Sequence, residues 1–203
     1  MSYASKVKSI QALPCYVGSA TPLPTFSQTA DNMKYKAHTL VNGKQTELLV
    51  VIGVVSFVQF TPKEVALTID VVSKFMTEEV AKPWMTVLTE LSHKSPIGFP
   101  EDFFEPCRKD KMRFLNRPTD TILVGDLDVT NLKGKAIDGS SINKGDLVAV
   151  DFALQVYSSE MNSKKTEGAR LVLASVQLLE ASYDDSFDRK LELPETPPKR
   201  RKT

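Results

Sequence analysis

The sequence predicts a mainly β (α+β) domain at 1–181, a small barrel of about five strands with a helical insertion at about 62–94. Three segments are typical of strands: 147–157 has one apolar face with a period of two, and 48–58 and 170–179 are almost continuously apolar. Asn42-Gly43 is a strong hairpin signal, because both residues tolerate positive φ. Residues 182–203 are punctuated by proline and carry no core pattern, so we expect a disordered tail.

Length and composition fit one folded domain. The 203 residues are 41% hydrophobic and 25% charged, close to the globular average, which excludes a disordered, collagen-like or coiled-coil chain. The formal charge is +1, so the chain is no bulk polycation. The charges are segregated, however: 108–117 has five cations against one aspartate, 180–195 has six carboxylates against two cations, and 199–202 is wholly basic.

We expect a protein that stays inside a cell. The two cysteines, Cys15 and Cys107, are too few for a disulfide framework. The N-terminus lacks the apolar stretch of a signal peptide, and the longest apolar run, 48–60, is too short for a transmembrane helix. No membrane association is therefore predicted.

The first elements are a lead-in and a hairpin. Residues 11–33 are rich in Pro, Ser, Thr and Gly and predict an irregular segment. Segments 35–41 and 46–52 flank Asn42-Gly43 and predict paired strands. Residues 48–58 are apolar on both faces, which is typical of a central strand, and Gly53 predicts a bulge or a bend within it.

The helical insertion is predicted from a capping pattern. Thr61, Pro62 and Glu64 occupy the N-cap, N1 and N3 positions of a helix that would run to about Thr77. Apolar residues recur behind it at spacings of three and four, as one buried helix face requires. A second helical stretch should follow up to about Ser92.

The period returns to two from Thr121. Residues 121–129 predict a strand, and 147–157 should pair antiparallel with 170–179. The segment between them, 158–168, is small and charged and predicts a loop. The domain should end near Ala181.

Catalysis has little support in this sequence. His38 and His93 are the only histidines, and no phosphate-binding glycine loop or metal-ligand spacing is present. Asp126 and Asp128 share a face of a predicted strand and could hold a divalent cation, but a solvated strand face explains them better. We expect no enzyme activity, no cofactor and no metal.

The basic segment 108–117 favours nucleic-acid binding. Its cations interleave with Met112, Phe114 and Leu115, so an extended chain could follow a phosphate backbone while an aromatic ring stacks on a base. An exposed edge strand protected by its charges is an equal alternative.

The predicted loop 158–168 offers a second contact. It carries two lysines with Tyr157 at its base, and a basic hairpin loop of this kind contacts oligonucleotides in barrels of the OB type. Solvation would also explain the lysines. The candidate nucleic-acid-binding residues are Arg108, Lys109, Lys111, Arg113, Phe114, Arg117, Tyr157, Lys164, Lys165 and Arg170.

Four motifs in order carry a family resemblance: Thr-Ile-Leu-Val at 121–124, Gly-Lys-Ala-Ile at 134–137, Ile-Asn-Lys-Gly-Asp-Leu-Val-Ala-Val at 142–150, and Gly-Ala-Arg-Leu-Val-Leu-Ala-Ser-Val-Gln-Leu-Leu-Glu at 168–180. The chain resembles the replicative single-stranded-DNA-binding proteins of tailed phages and related DNA viruses, most strongly over 121–181 and in architecture over 35–120. The resemblance implies an OB barrel, sequence-tolerant coating of single strands and no enzymatic step.

The tail departs from that family. The acidic stretch 180–195 suits the recruitment of replication proteins, which the resemblance implies, but the basic run Lys199, Arg200, Arg201 and Lys202 follows it. This run is similar to a short nuclear-import signal and predicts localisation to a nucleus, the host nucleus if the protein is viral. A solvated basic end or an additional phosphate contact is the alternative.

The sequence thus predicts a non-catalytic single-stranded-DNA-binding protein of viral DNA replication or recombination, acting as a monomer or small homo-oligomer. A viral coat or nucleocapsid subunit is one alternative, and it should assemble into large shells. An RNA-binding interaction protein is another, and competition between DNA and RNA would identify it.

Overall fold

The structure, a computed structural model, describes residues 2–17, 25–32, 35–42, 45–46, 48–71, 107–108, 111–118, 124–161 and 164–183. For 25–32, 35–42, 45–46, 107–108, 154, 156–161 and 164–169 it describes the backbone alone. Its elements in chain order are α1 (Tyr3–Gln11), β1 (Thr25–Asn32), β2 (Tyr35–Asn42), β3 (Gln45–Thr46), β4 (Leu49–Phe60), β5 (Val65–Asp70), β6 (Cys107–Arg108), β7 (Lys111–Asn116), β8 (Asp128–Thr130), β9 (Leu147–Met161) and β10 (Lys164–Glu180). A 3₁₀ turn at Gly139–Ser141 precedes β9. No helix in these ranges is long and apolar enough to cross a membrane.

Five strands close into a barrel. Antiparallel pairs join β9 to β4, β4 to β5 and β5 to β7, and a parallel pair joins β7 to β10. Pairing of β10 with β9 closes the ring. Numbered along the chain, the barrel strands therefore follow the spatial order 1-2-3-5-4, the Greek-key order of an OB-type barrel. The predicted fold class is confirmed.

The two faces of β4 bury against different partners. Val51 and Val55 point into the barrel, where the rings of Phe114 and Phe152 pack with centroids 5.2 Å apart. On the outer side, Val50 and Ile52 pack with Val7 and Ile10 of α1. The helix covers this part of the barrel, so β4 is apolar on both faces, as the sequence predicts for a central strand. The helix itself was absent from the sequence prediction.

The β9–β10 hairpin is confirmed and is longer than predicted. Lys164 pairs with Met161, and Lys165 pairs with Glu160, so only residues 162–163 separate the strands. The predicted loop at 158–168 is therefore wrong. Beyond the barrel β9 has a second neighbour, because β2 pairs with it from Thr39↔Gln155 to Tyr35↔Ser159. Backbone groups of β9 are thus paired on both sides where a loop was expected.

The predicted helix after Thr61 is wrong over 65–70. Thr61 donates its backbone N–H to the carbonyl of Glu64 at 3.1 Å, and its hydroxyl accepts the N–H of Glu64 at 3.0 Å. These two bonds close a tight turn, and the chain continues as β5 between β4 and β7. The rest of the predicted insertion, 72–94, lies outside the described residues.

Two further predictions need correction. Residues 25–32 form strand β1 rather than an irregular lead-in. The strand predicted from Thr121 is confined, among the described residues, to β8, because Gly125 at φ 76° takes a left-handed conformation outside regular strand geometry.

The first hairpin is confirmed in part. Asn42 pairs antiparallel with Gln45, as a hairpin requires, but the partner strand β3 has only two residues. Gly53 shows no bulge. It permits a close approach instead, because a Cβ there would lie 2.7 Å from the carbonyl oxygen of Asp70.

Candidate nucleic-acid interface

A bulge in β4 places an aromatic ring on the outer surface of the barrel. The pairing of β4 with β5 shifts register between Val55 and Phe57, which leaves Ser56 as an extra residue. Val55 is buried in the barrel, and Val58 and Phe60 after the bulge pack against the same core. Phe57 consequently points outward and is 47% exposed.

Strand register aligns Phe57 with two arginines. Phe57 pairs with Thr68 of β5, which in turn pairs with Arg113 of β7. Arg113 and Arg170 each precede one member of the parallel pair Phe114↔Leu171, and both of these apolar residues face the core. Side chains alternate along a strand, so Arg113 and Arg170 share the outer face with Phe57 and Thr68. We call these four residues the outer row.

Arg170 is fixed on this face by its neighbour on β9. Its Nε donates to Oε1 of Gln155 at 2.5 Å, and Gln155, its partner in the strand ladder, is 6% exposed. The bond holds the half-buried guanidinium in a defined position. A fixed guanidinium loses less side-chain entropy when it binds an anion.

Two more cations flank the outer row, Lys111 at the start of β7 and Arg117 directly after its end, and each contacts a carboxylate. Lys111 Nζ lies 2.8 Å from Oδ1 of Asp70, its cross-strand partner on β5. Arg117 Nε lies 2.6 Å from Oε2 of Glu64 in the turn between β4 and β5. All four side chains are 35–51% exposed, so the two ion pairs are accessible to a ligand.

This face lies where barrels of the OB type bind their ligands. Strands β5 and β7 are the second and third strands of the barrel, and OB barrels bind oligonucleotides on that face and with the loops between strands 1 and 2 and between strands 4 and 5. The first of these loops is the turn that contains Glu64, beside Arg117. The second is the tip of the β9–β10 hairpin, which extends beyond the other end of β7.

The structure brings together four of the predicted residues: Lys111, Arg113, Arg117 and Arg170. Arg108 lies on β6 and pairs antiparallel with Lys111 of β7, so the basic segment 108–117 is divided between two strands and is not one extended stretch. Lys109 and the run Lys199, Arg200, Arg201 and Lys202 lie outside the described residues. Lys164 and Lys165 belong to β10, and Tyr157 belongs to β9. For these three residues the structure describes the backbone and not the side chain.

The stacking role predicted for Phe114 is wrong. Its side chain is fully buried (0% exposed) in the barrel core against Phe152, so no base can reach the ring. The sequence did contain the signal for this placement. Along β7 the cations occupy alternate positions with the opposite parity, and period-two alternation therefore puts Phe114 on the other face.

Phe57 is the aromatic residue that sequence analysis missed. Regular alternation places it on the same face as Val51 and Val55, which is the core face. Only the bulge at Ser56 turns the Phe57 ring outward, and the residue types around Ser56 do not predict a bulge.

The described part of the chain holds no group of three or more His, Cys, Asp or Glu residues that could bind a metal ion. Asp126 and Asp128, the weak metal candidates, are exposed. The chemistry available on the outer face of β4, β5 and β7 is that of cations, two of which contact carboxylates, of hydrogen-bond donors and of the aromatic ring of Phe57.

Comparison with known proteins yields similar structures only. No protein-family model and no curated protein sequence matches the chain. The chain resembles gp2.5, the single-stranded DNA binding protein of bacteriophage T7, at 16% identity and a TM-score of 0.39, over 75% of this chain and 97% of that one. It also resembles the single-stranded DNA-binding protein of bacteriophage Enc34, at 12% identity and a TM-score of 0.41, over 82% and 99%.

A complex of the Enc34 protein with single-stranded DNA is similar at 9% identity and a TM-score of 0.40, over 79% of this chain and 98% of that one. At these identities and TM-scores the likeness by itself establishes neither a shared family nor a shared ligand. The prediction of nuclear localisation, which was based on the basic run 199–202, is wrong. The similar proteins come from bacteriophages, whose bacterial hosts have no nucleus.

Proposed function

We propose that this chain binds single-stranded DNA, without catalysing a reaction, on the outer face of β4, β5 and β7. The observation that carries the proposal is the exposed ring of Phe57, in register with Thr68 and Arg113 on the ligand-binding strands of an OB barrel. Single-strand binders combine cations that follow the phosphates with aromatic rings on which bases stack. Phe57 would supply the stacking surface, and Arg113, Arg170, Lys111 and Arg117 would neutralise phosphates.

Binding of this kind tolerates any sequence, because phosphates are common to all nucleotides and every base has a stacking face. The choice of DNA rests on the sequence resemblance over 121–181, and with it we propose a role in the replication or recombination of viral DNA. Further proposed contacts are Arg108, Lys109, Tyr157, Lys164 and Lys165. The acidic stretch 180–195 is the proposed contact for replication proteins, and we propose a monomer or small homo-oligomer.

A titration with labelled oligonucleotides tests the function. The protein should bind single-stranded DNA more tightly than duplex of the same sequence, with little dependence on base composition. The logarithm of the affinity should fall with the logarithm of salt concentration, with a slope of about −0.7 per phosphate contacted. Equal affinity for duplex, or no binding at low salt, would reject the proposal. Tighter binding of single-stranded RNA would identify an RNA-binding protein, and assembly into large shells would identify a coat subunit.

A further inference from the structure

Two carboxylates lie within the proposed binding face itself. We propose that Asp70 and Glu64 compete with the phosphates of single-stranded DNA for Lys111 and Arg117, and so lower the affinity of this face. The inference rests on the proposed function and adds a residue-level control of its strength. It concerns carboxylates of the barrel, not those of the acidic stretch 180–195.

The geometry of both pairs is that of direct competition. Lys111 Nζ contacts Asp70 Oδ1 at 2.8 Å, and Arg117 Nε contacts Glu64 Oε2 at 2.6 Å. These distances are typical of charge-assisted hydrogen bonds, and a phosphate oxygen would use the same donors at the same distances. A carboxylate oxygen and a phosphate oxygen therefore cannot both accept a hydrogen bond from the same N–H group.

The pairs are accessible and weak enough to exchange. Lys111 and Arg117 have side chains that are about half exposed, at 51% and 48%. Exposed ion pairs in water contribute little to stability, so a phosphate of an entering strand can displace the carboxylate. The displaced carboxylate remains beside the phosphate, and this like-charge contact opposes binding.

Neither carboxylate is needed to hold the fold at its position. The turn before β5 is closed by the backbone of Glu64, whose N–H donates to Thr61 Oγ1 at 3.0 Å and whose carbonyl accepts the Thr61 N–H at 3.1 Å. Asp70 and Lys111 are partners in the β5–β7 ladder through their backbones. Removal of the charge should therefore leave both segments in place, which makes isosteric amides suitable probes.

The exchange of a carboxylate for a phosphate should change the salt dependence of the DNA affinity. Each side-chain cation that binds a phosphate of single-stranded DNA releases about 0.7 of a condensed counterion. When that cation comes from a carboxylate, the freed carboxylate attracts a cation from solution, and part of the release is cancelled. Removing the carboxylate should therefore make the salt slope steeper, by up to about 0.7 per pair.

The experiment compares Asp70→Asn and Glu64→Gln with Asp128→Asn in the full chain. Asp128 is exposed on β8, which pairs with the far part of β10 at Ser175, so its substitution changes net charge equally but away from this face. A labelled oligothymidylate is titrated at several salt concentrations, and the melting temperature of each variant is recorded. Asp70→Asn and Glu64→Gln should each bind about two- to fivefold more tightly than Asp128→Asn, with a steeper slope.

A double substitution identifies the mechanism. In a Lys111→Met background, the gain from Asp70→Asn should disappear, because no cation remains for the carboxylate to occupy. A gain that persists there would mean a general charge effect and would overturn the proposal. So would gains no larger than that of Asp128→Asn, or a loss of affinity, which would make the carboxylates positioning groups. In these cases the wild type still binds single strands. A wild type that binds none would overturn the proposed function as well.

Discussion

Val55 and Phe57 lie on opposite faces of β4, although alternation would put residues two apart on the same face. Val55 is 1% exposed and Phe57 is 47% exposed. The extra residue between them, Ser56, shifts the pairing with β5, and its hydroxyl is 3.4 Å from the carbonyl of Thr68. This one bulge keeps Val58 and Phe60 in the core and places the ring of Phe57 on the proposed binding face.

Phe57→Ala should weaken binding of single-stranded DNA about five- to hundredfold, because each stacked base is worth roughly 1–3 kcal/mol. The salt slope should stay unchanged, because no phosphate contact is lost. The free energy of unfolding should change little, since the ring is half in water. Fluorescence titration and chemical denaturation of the same variant measure both quantities. A destabilised variant with wild-type affinity would contradict the assignment.

Phe114→Ala should behave in the opposite way. The ring is completely buried against Phe152, so its removal should cost roughly 3–5 kcal/mol of unfolding free energy. The folded fraction should bind single strands with nearly wild-type affinity. Denaturation followed by a binding titration under stabilising conditions provides the check. Wild-type stability together with a large loss of affinity would show that the ring does contact DNA.

The candidate interface was predictable to the extent that it follows strand alternation. Lys111 and Arg113 occupy alternate positions of β7, so the sequence places these two cations on one face, as observed, and Arg117 follows the end of the strand. The same rule excludes Phe114 from that face, although composition alone suggested stacking. Phe57 was not predictable, because a bulge is set by how two strands meet and not by the residues of one strand.

The fold was predictable where long alternation leaves no alternative, as in the β9–β10 hairpin. It was not predictable at Thr61, where a threonine hydroxyl accepting the N–H three residues later is common to a helix N-cap and to the observed turn. Val65 and Ile69 are four apart, which suits a helix, but Leu67 and Ile69 are two apart and buried, which suits a strand. Pairing with β4 and β7 decides between these local options.

Asp146→Ala should destabilise the barrel by about 2–4 kcal/mol. The carboxylate is 2% exposed and accepts the backbone N–H groups of Asn143 at 2.8 Å and Ser182 at 2.9 Å, which ties the turn before β9 to the segment after β10. Without it, two sheltered donors lose a charged acceptor. Chemical denaturation measures the loss.

Asp138→Ala is the matched control for Asp146. Its carboxylate also accepts a backbone N–H, that of Ser140 at 2.8 Å, and this bond with Ser140 lowers the pKa of Asp138. The group is exposed to water, which replaces the lost acceptor, so the effect on stability should be much smaller. Equal effects of the two substitutions would refute a special role for the buried carboxylate.

The last prediction concerns alkaline pH and Tyr16. This side chain is 3% exposed beneath α1, and burial raises the pKa of its hydroxyl above the ordinary 10.0, with the bond to Gln11 opposing the shift. Below pH 10 the tyrosine is neutral in both states, and its contribution to stability is complete. Above pH 10 the unfolded chain loses the proton first, so the free energy of unfolding should fall, by up to about 1.4 kcal/mol per pH unit, until the pH passes the folded-state pKa.

Tyr16→Phe cannot ionise and should lack this component. Denaturation curves of both proteins across the alkaline range give the difference in stability, which should move in favour of the variant above pH 10. A difference that stays constant with pH would show that the hydroxyl titrates alike in the folded and unfolded chain.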